Sequence, residues 1–495
     1  MNLGDLLDHV PDLAVFTATT ETSRNELVEQ IDEIAGSLRT VGVGPGSVVG
    51  VMLGNRPATI ATLFAVWRVG AVYAPFNPRA SIHDVLQAMT TVQPTAIVTT
   101  EEHLARLDEL LTGGTETVAG TAIRACRSPA SEPQAEGVAL IQFTSGTTGR
   151  PKPVPLRHDT VSDLLDKVVG TLRGRGGRSG GAGGDDARAP MPNLIPVSLS
   201  LWAGIYQVLF AFRVGAPVVL MDRFDTTEFA QLVATFGIRS TVLPPAAMTM
   251  LADDETIDDL SPLRIVRSIS APLSPAQARR FRDRFGVVVL NSYGQTELGG
   301  EVVGWSAADA REFGEEKLGS VGRPHAGVEV RACDSDGAPA SPGESGELSV
   351  RTPATRSRSI AADFAERLTS DGWLRTGDIG RVDDEGFVWI EGRVSDMINR
   401  GGLKVFPAQV EEVLMTSPEV RDAAVVGVAD DRLGEVPWAF VVPASSDLDT
   451  AQLMEWCRER LTPYKIPARI VEVAALPRNE AGKVLKRDLA ALADS

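Results

Sequence analysis

Strand-like and helix-like segments alternate through the first 290 residues of this 495-residue chain, and that rhythm restricts the fold more than any other feature. VVGVML (48–53), VYAPF (72–76) and TAIVTT (95–100) read as buried strands. RPATIATLFAVWRVG (56–70), SIHDVLQAM (81–89) and HLARLDELL (103–111) read as the helices between and after them. The pattern returns between 216 and 293 with APVVLM, FAQLVATFG, STVL, LRIVRSI, AQARRFRDRF and VVVLNSY. Such alternation implies βαβ units on mainly parallel sheets. Ser23 with Glu26 predicts a capping box ahead of a helix that ends near Leu38.

The texture then changes twice. From about 318, GVEVRAC, GELSVRT and RVDDEGFVWIEG predict a small antiparallel β subdomain. After GRVSDMINRGG (392–402), PAQVEEVLMTS, DAAVVGVA, WAFVVPA and AQLMEWCRERL predict a compact α+β unit, with Pro407 in the first helical turn and KVLKRDLAALA closing the chain. The expected fold class is therefore α/β. A large N-terminal domain (1–393) carries mixed, mainly parallel sheets with helices and the β subdomain (about 318–393), and a small α+β domain follows (394–495). GRGGRSGGAGG (174–184) holds seven glycines in eleven positions, which predicts a flexible loop over 174–190.

Composition excludes several classes. The net charge of −17 and pI near 4.9 offer no basic footprint for nucleic acid or anionic membranes. Three distant cysteines (Cys126, Cys333, Cys457) make no disulfide framework, which fits a reducing cytoplasm, and five scattered histidines make no zinc site. The N-terminus MNLGDLLDHVPD is acidic where a signal peptide is basic. Residues 196–221 are apolar, but Ser198, Ser200, Gln207, Arg213, Gly215 and Pro217 interrupt any span of the ~20 residues a membrane crossing needs, so a buried helix and strand are expected there.

The chemistry is concentrated in VALIQFTSGTTGRPKPVPLRH (138–158). A buried strand runs into Thr144, Ser145, Gly146, Thr147, Thr148, Gly149, Arg150, Pro151 and Lys152. Small residues let backbone N–H groups converge on an anion, hydroxyls add donors, and Lys152 adds charge. The Walker pattern G-x-x-x-x-G-K-[ST] is absent.

With NSYGQTE (291–297), GWLRTGD (372–378), GRVSDMINRGG (392–402) and PRNEAGK (477–483), this segment resembles, in order, the motifs of the adenylate-forming superfamily, which holds acyl-CoA synthetases, peptide-synthetase adenylation domains and luciferases. The chain is most like an acyl-CoA synthetase. The resemblance implies activation of a carboxylic acid as acyl-AMP with loss of pyrophosphate, then transfer to CoA, with ATP, Mg2+ and CoA required. It implies Lys483, Thr296 and Glu297 as catalytic residues, Glu297 also holding the metal. Thr144 to Gly149 and Lys152 are implied for the phosphates, and Ser270, Ala271, Pro272, Asn291, Ser292, Tyr293, Gly294 and Gln295 for the base and acyl-phosphate region. Asp378 and Arg393 are implied for the ribose, Gly401 and Gly402 for the thiol's path, and Ser395 and Asp396 for the hinge.

The assignments agree with elementary electrostatics. An anionic carboxylate must meet an anionic phosphate, so neutralisation and positioning carry the catalysis. Four positions depart from the family pattern: Pro153 after the loop, Ser395 at the hinge, Ser270-Ala271 where Gly-Gly or Gly-Ala is usual, and PVSLSLWAGI (196–205) without its usual histidine or aromatic residue. In that last stretch Trp202 and Gly204, with Gly294, predict a wide apolar acyl pocket for a bulky alicyclic or aryl acid. Ser198, Ser200, Ala203 and Gly204 serve helix packing equally well. No aspartate stands there to hold an α-amine, which argues against an amino acid. An acyl carrier protein is the alternative acceptor, an enzyme of only one half-reaction is kept open by Pro153 and the altered hinge, a non-catalytic nucleotide-binding protein is a reading from another class, and a dimer stays open.

Overall fold

The computed structural model describes residues 2–10, 12–130, 132–145, 151–173, 190–334, 336–356, 362–445, 448–479 and 482–493. All but residue 190 of the loop predicted over 174–190 lies outside them.

Residues up to 324 build three βα layers and a small antiparallel sheet. The seven-stranded sheet contains the predicted parallel strands Val48–Val51, Val72–Pro75 and Ala96–Thr99, and Val138–Ser145 joins them beside Val72–Pro75. Its edges are antiparallel, through the hairpin Leu111–Val118/Thr121–Cys126 on one side and Pro151–Arg157 on the other. That hairpin corrects the helix predicted over 103–111. The helix stops at Ala105, a short 3-10 turn covers Asp108–Leu110, and Leu111 starts a strand that turns at Gly120, with φ +71. The capping box is present, Ser23 and Glu26 bonding reciprocally at the start of helix Arg24–Thr40.

A second sheet orders Asn193–Ile195, Val218–Leu220, Leu13–Phe16 and Glu21–Ser23, and the three parallel strands Ser240–Leu243, Ile265–Ser268 and Val288–Asn291 continue it in space. The Thr241 hydroxyl joins the two by donating to Leu194 O at 2.9 Å. Between these layers run helices Pro57–Arg68 and Trp202–Arg213, apolar around most of their circumference and buried accordingly. Their rings meet at Phe64 and Phe212, with centroids 5.8 Å apart. The second helix and the following Val218–Leu220 strand are the elements expected for the 196–221 stretch.

The antiparallel subdomain is also as predicted: Glu329–Cys333, Gly346–Arg351, Leu374–Val382 and Val388–Arg393 form one four-stranded sheet in sequence order. Every strand of the last, five-stranded sheet comes from residues 398–472, flanked by helices Pro407–Met415, Thr450–Arg460 and Lys486–Ala493. No helix among the described residues is long and apolar enough to cross a membrane. The three cysteines are free and buried, and burial pushes the Cys126 and Cys457 thiols up to about 12 and about 11.

Candidate active site

Loops at the carboxyl ends of parallel strands are where open α/β sheets bind ligands, and three of the predicted motifs sit there. The strand Val138–Ser145 runs into the phosphate-loop segment, and Ile265–Ser268 into Ser270-Ala271-Pro272. The neighbouring strand Val288–Asn291 runs into Ser292 and Tyr293, with Asn291 registered against Ser268. Ser292 Oγ donates to Ser268 O at 3.1 Å, tying the two loops together. Gly146 to Arg150, with Thr147, Thr148 and Gly149, lie outside the described residues. Lys152 is exposed on the return strand, registered against Thr144.

Ser270 stands where glycine is the family expectation, and its φ is +72. The left-handed conformation costs an L-residue roughly 1–2 kcal/mol. This strain at the expected adenine edge is the physical form of that departure.

Asp378 is the hub of the site. Only 4% of it is exposed, and both oxygens are engaged. Tyr293 OH donates to Oδ2 at 2.7 Å, Gln295 Nε2 donates to the same oxygen at 2.7 Å, and Arg393 Nε lies 3.2 Å from Oδ1. Gln295 Nε2 also donates to Thr376 O at 3.0 Å. Burial, then the Asp378 charge and hydrogen bond, push the Tyr293 phenol well above its usual range, so it stays a donor. Asp378 and Arg393 are cross-strand partners in the antiparallel subdomain. Tyr293 comes from the preceding sheet, so the cluster joins segments 85 residues apart.

Thr296 and Glu297 follow in a 3-10 turn, Thr296–Leu298. Glu297 is mostly covered, and one carboxylate oxygen lies 3.9 Å from Arg367, a residue the sequence reading missed. Arg367 is held by donating to Arg375 O at 2.8 Å and Thr376 O at 2.9 Å. No distinctive motif surrounds it, so only the fold could have revealed it. Among the described residues no cluster of three or more His, Cys, Asp or Glu could hold a metal by itself. A lone carboxylate suits Mg2+, which commonly takes one or two protein oxygens and completes its shell with phosphates and water.

Lys483 arrives from the C-terminal unit. The turn before it packs against the segment that follows strand Ser240–Leu243: a Cβ on Gly482 would lie 3.3 Å from Ala246 and 3.9 Å from Pro244. Burial, then the Arg393 charge, lower the lysine's pKa, and the charges of Asp396 and Asp378 oppose them. Three charged groups named from two separate motifs are therefore close enough to act on the lysine. Local bonds hold its backbone. Lys483 N donates to Asn479 Oδ1 and Asn479 N to Lys483 O, both at 2.9 Å. Arg478, quoted in the motif but given no role, donates to Gly482 O at 2.7 Å and to Asp422 Oδ2 at 2.6 Å.

The remaining sites have simpler geometry. Ser395 and Asp396 lie in the 3-10 turn Val394–Asp396, Ser395 Oγ donating to Asp396 Oδ1 at 2.9 Å. Gly401 and Gly402, at φ +60 and +87, form the two-residue connection of the hairpin Ile398–Arg400/Leu403–Val405, a turn that needs left-handed residues. At the predicted acyl pocket, Trp202 is buried and locked, its Nε1 donating to Gly299 O at 3.1 Å. The two glycines there do not widen a cavity. A Cβ on Gly204 would overlap Ser198 O and one on Gly294 would overlap Gly300 O, so both permit close backbone approach. The helix-packing reading of Gly204 is the one the geometry matches.

Residues 8–357 match the AMP-binding enzyme family and residues 409–483 the AMP-binding enzyme C-terminal domain, so the chain belongs to this family of adenylate-forming enzymes. Within it, the chain is an enzyme of the AMP-forming acyl-CoA synthetase type. It is 32% identical to the feruloyl-CoA synthase of an Amycolatopsis species, across 96% of this chain and 95% of that one. It is 31% identical to the indoleacetate–CoA ligase of Aromatoleum aromaticum, across 99% and 98%. Among solved structures it resembles the amide bond synthetase McbA of Marinactinospora thermotolerans, with a TM-score of 0.82, 29% identity and 99% coverage of both chains. It likewise resembles ATP-bound MatB of Rhodopseudomonas palustris, with a TM-score of 0.84, 25% identity and 99% of both.

Proposed function

We propose that this enzyme is an acid–thiol ligase that activates a hydrophobic aryl or alicyclic carboxylic acid as acyl-AMP and passes the acyl group to CoA. The observation that carries this reading is the buried Asp378 carboxylate held by Tyr293, Gln295 and Arg393, segments brought together from separate motifs, with Lys483 near enough for the Arg393 and Asp378 charges to act on it.

In the first step a carboxylate oxygen attacks the α-phosphorus of ATP, the bond to the bridging oxygen breaks, and pyrophosphate leaves with the electron pair. Asp378 accepts from the ribose hydroxyls while Arg393 spans ribose and phosphate. Tyr293, its hydroxyl committed to Asp378, presents a fixed ring face to adenine beside Ser270-Ala271-Pro272 and Asn291. Thr144 to Gly149 and Lys152 hold the β- and γ-phosphates, and Thr296 donates to the α-phosphate. Glu297 would hold Mg2+, which neutralises phosphate charge when bound. Lys483 donates to the incoming carboxylate and the α-phosphate where their charges meet.

In the second step the unit that follows residue 394 turns about Ser395 and Asp396. Lys483 withdraws, the Gly401-Gly402 hairpin reaches the thiol's path, and sulfur attacks the acyl carbon. AMP leaves with the electron pair, and the thiol proton passes to solvent. The similarity to an amide bond synthetase supports one further arm, acyl transfer to an amine.

The test is pyrophosphate release with Mg2+ and ATP across fatty, aryl and alicyclic acids, each with CoA, with an amine, or with neither. Release confined to one acid class, with acyl-CoA formed only when CoA is present, supports the proposal. Acyl-adenylate that passes to an amine but not to CoA, or that accumulates with either, refutes the acceptor. Silence with ATP still bound favours a non-catalytic protein.

A further inference from the structure

Arg367 brings to the site a fixed cation that the reaction above does not use. It closes the 3-10 turn Ala362–Arg367. Its Nε donates to Arg375 O at 2.8 Å and its Nη2 to Thr376 O at 2.9 Å, and the guanidinium stands 5.5 Å from the centre of the Phe364 ring. Thr376 O accepts from Gln295 Nε2 as well, and the Thr376 hydroxyl accepts from Asp378 N at 3.1 Å. The guanidinium is therefore tied to the strand that carries Asp378, and it cannot swing away without breaking both carbonyl bonds.

The remaining nitrogen, Nη1, lies 3.9 Å from Glu297 Oε1 and makes no hydrogen bond among the described residues. N–H···O bonds close at about 2.7–3.2 Å, so the two charges attract across a gap and leave the Nη1 donors unspent. The Arg367 side chain is 35% exposed and that of Glu297 14%, so the guanidinium is open to a ligand. An ion pair of this kind adds only about 0–1 kcal/mol to stability. As an anion site the arrangement does more. Two nitrogens lock the plane, and the third presents N–H donors in the fixed geometry that suits phosphate oxygens.

The other assignments decide which anion it meets. Thr296 and Lys483 serve the α-phosphate and the carboxylate, and Arg393 the ribose and phosphate beside it. The pyrophosphate group carries most of the nucleotide's negative charge, yet Lys152 is its one assigned side-chain cation. A donor fixed beside the carboxylate that would hold Mg2+ is placed beside the phosphates that Mg2+ bridges.

Building on the acid-activating reading above, we propose that Arg367 is a further ATP-binding residue whose Nη1 donates to the pyrophosphate part of the nucleotide. When the bond to the α-phosphorus breaks, its electron pair ends on the departing pyrophosphate oxygen. Arg367 stabilises that charge by hydrogen bonding and keeps its proton.

The competing role is a brace on the strand that carries Asp378. The two roles differ for AMP, which has the ribose but no pyrophosphate. The test is equilibrium dialysis of labelled ATP and of labelled AMP against wild type and Arg367→Met, at saturating Mg2+ and without acid, so that nothing turns over. The Kd for ATP should rise about tenfold, equivalent to about 1.4 kcal/mol, while that for AMP stays within about twofold. Equal weakening of both nucleotides assigns Arg367 to bracing and overturns the inference, as does weakening of AMP alone or of neither. Each of these leaves the ligase in place. If Arg367→Met does not fold, the wild type decides, with phenylglyoxal modification of Arg367 read by mass spectrometry. Pyrophosphate with Mg2+ should slow it and AMP should not; protection by AMP, or by neither, overturns the inference. A wild type that binds neither ATP nor AMP refutes the proposed function itself.

Discussion

Replacing Asp378 by asparagine is the sharpest single test of the site, because it preserves shape and removes only acceptor capacity. All three neighbours of the carboxylate are donors: Tyr293 OH and Gln295 Nε2 on Oδ2, and Arg393 Nε near Oδ1. An amide offers one oxygen and one N–H2. With its oxygen toward Tyr293 and Gln295, the N–H2 faces the Arg393 donor; turned over, it loses both of the other bonds. The first arrangement costs less. It turns two bonds to a charged acceptor, each worth about 1.5–3 kcal/mol, into neutral ones of about 0.5–1.5. The half-exposed Arg393 pair adds only about 0–1 kcal/mol. The expected loss is about 2–4 kcal/mol, which at roughly 2.1 cal/mol/K per residue of unfolding entropy lowers Tm by about 2–4 °C. The same substitution weakens two ribose hydrogen bonds, so kcat/KM for ATP should fall by about 10–100-fold. Thermal melting and pyrophosphate release at varied ATP read the two effects separately. A variant with unchanged Tm and kcat/KM within about threefold of wild type would refute Asp378 as the hub.

Lys483→Ala should abolish most acyl-adenylate formation while sparing thioester formation from supplied acyl-adenylate and CoA; equal loss in both assays would deny the lysine its role in one half-reaction. Arg478→Met should show the same asymmetry more weakly, about tenfold on adenylation with little change in KM for ATP, because it removes the brace on Gly482 O and not the ammonium; a matched loss in both half-reactions would mean general unfolding. His158 predicts a pH effect on stability. Its Nδ1 accepts from Leu3 N at 3.2 Å, and burial, partly opposed by Asp159 and Asp5, lowers its pKa to about 4. Because the folded pKa lies below the unfolded value of about 6.5, the stabilisation is full above that pH and is lost progressively as pH falls toward 4. Urea titrations at pH 7 and pH 5 should show a drop in the wild type that His158→Gln, which keeps an acceptor but cannot be protonated, makes smaller; an identical slope in both would rule out His158 as its source.

Much of this protein was legible along the chain, because alternating apolar segments and local capping act over a few residues at a time. The parallel strands from Val48 to Asn291, the Ser23–Glu26 capping box and the antiparallel subdomain follow from such short-range physics. The motifs named the catalytic candidates for the same reason, since a phosphate loop or a lysine turn is contiguous. The hairpin beginning at Leu111 was missed because LARLDELL has a helical period that sheet pairing overrides.

Tertiary structure alone decided what lies across from what. It spent Gly204 and Gly294 on backbone contact rather than on pocket volume, put Tyr293, Gln295 and Arg393 around one carboxylate, and brought Lys483 to them from about a hundred residues farther along. It also enclosed Glu301 with Arg267 and His325 behind the strand that carries Gly294. Hydrogen-bond capacity and charge belong to each residue by itself. Whether they are satisfied depends on neighbours that only the folded chain supplies.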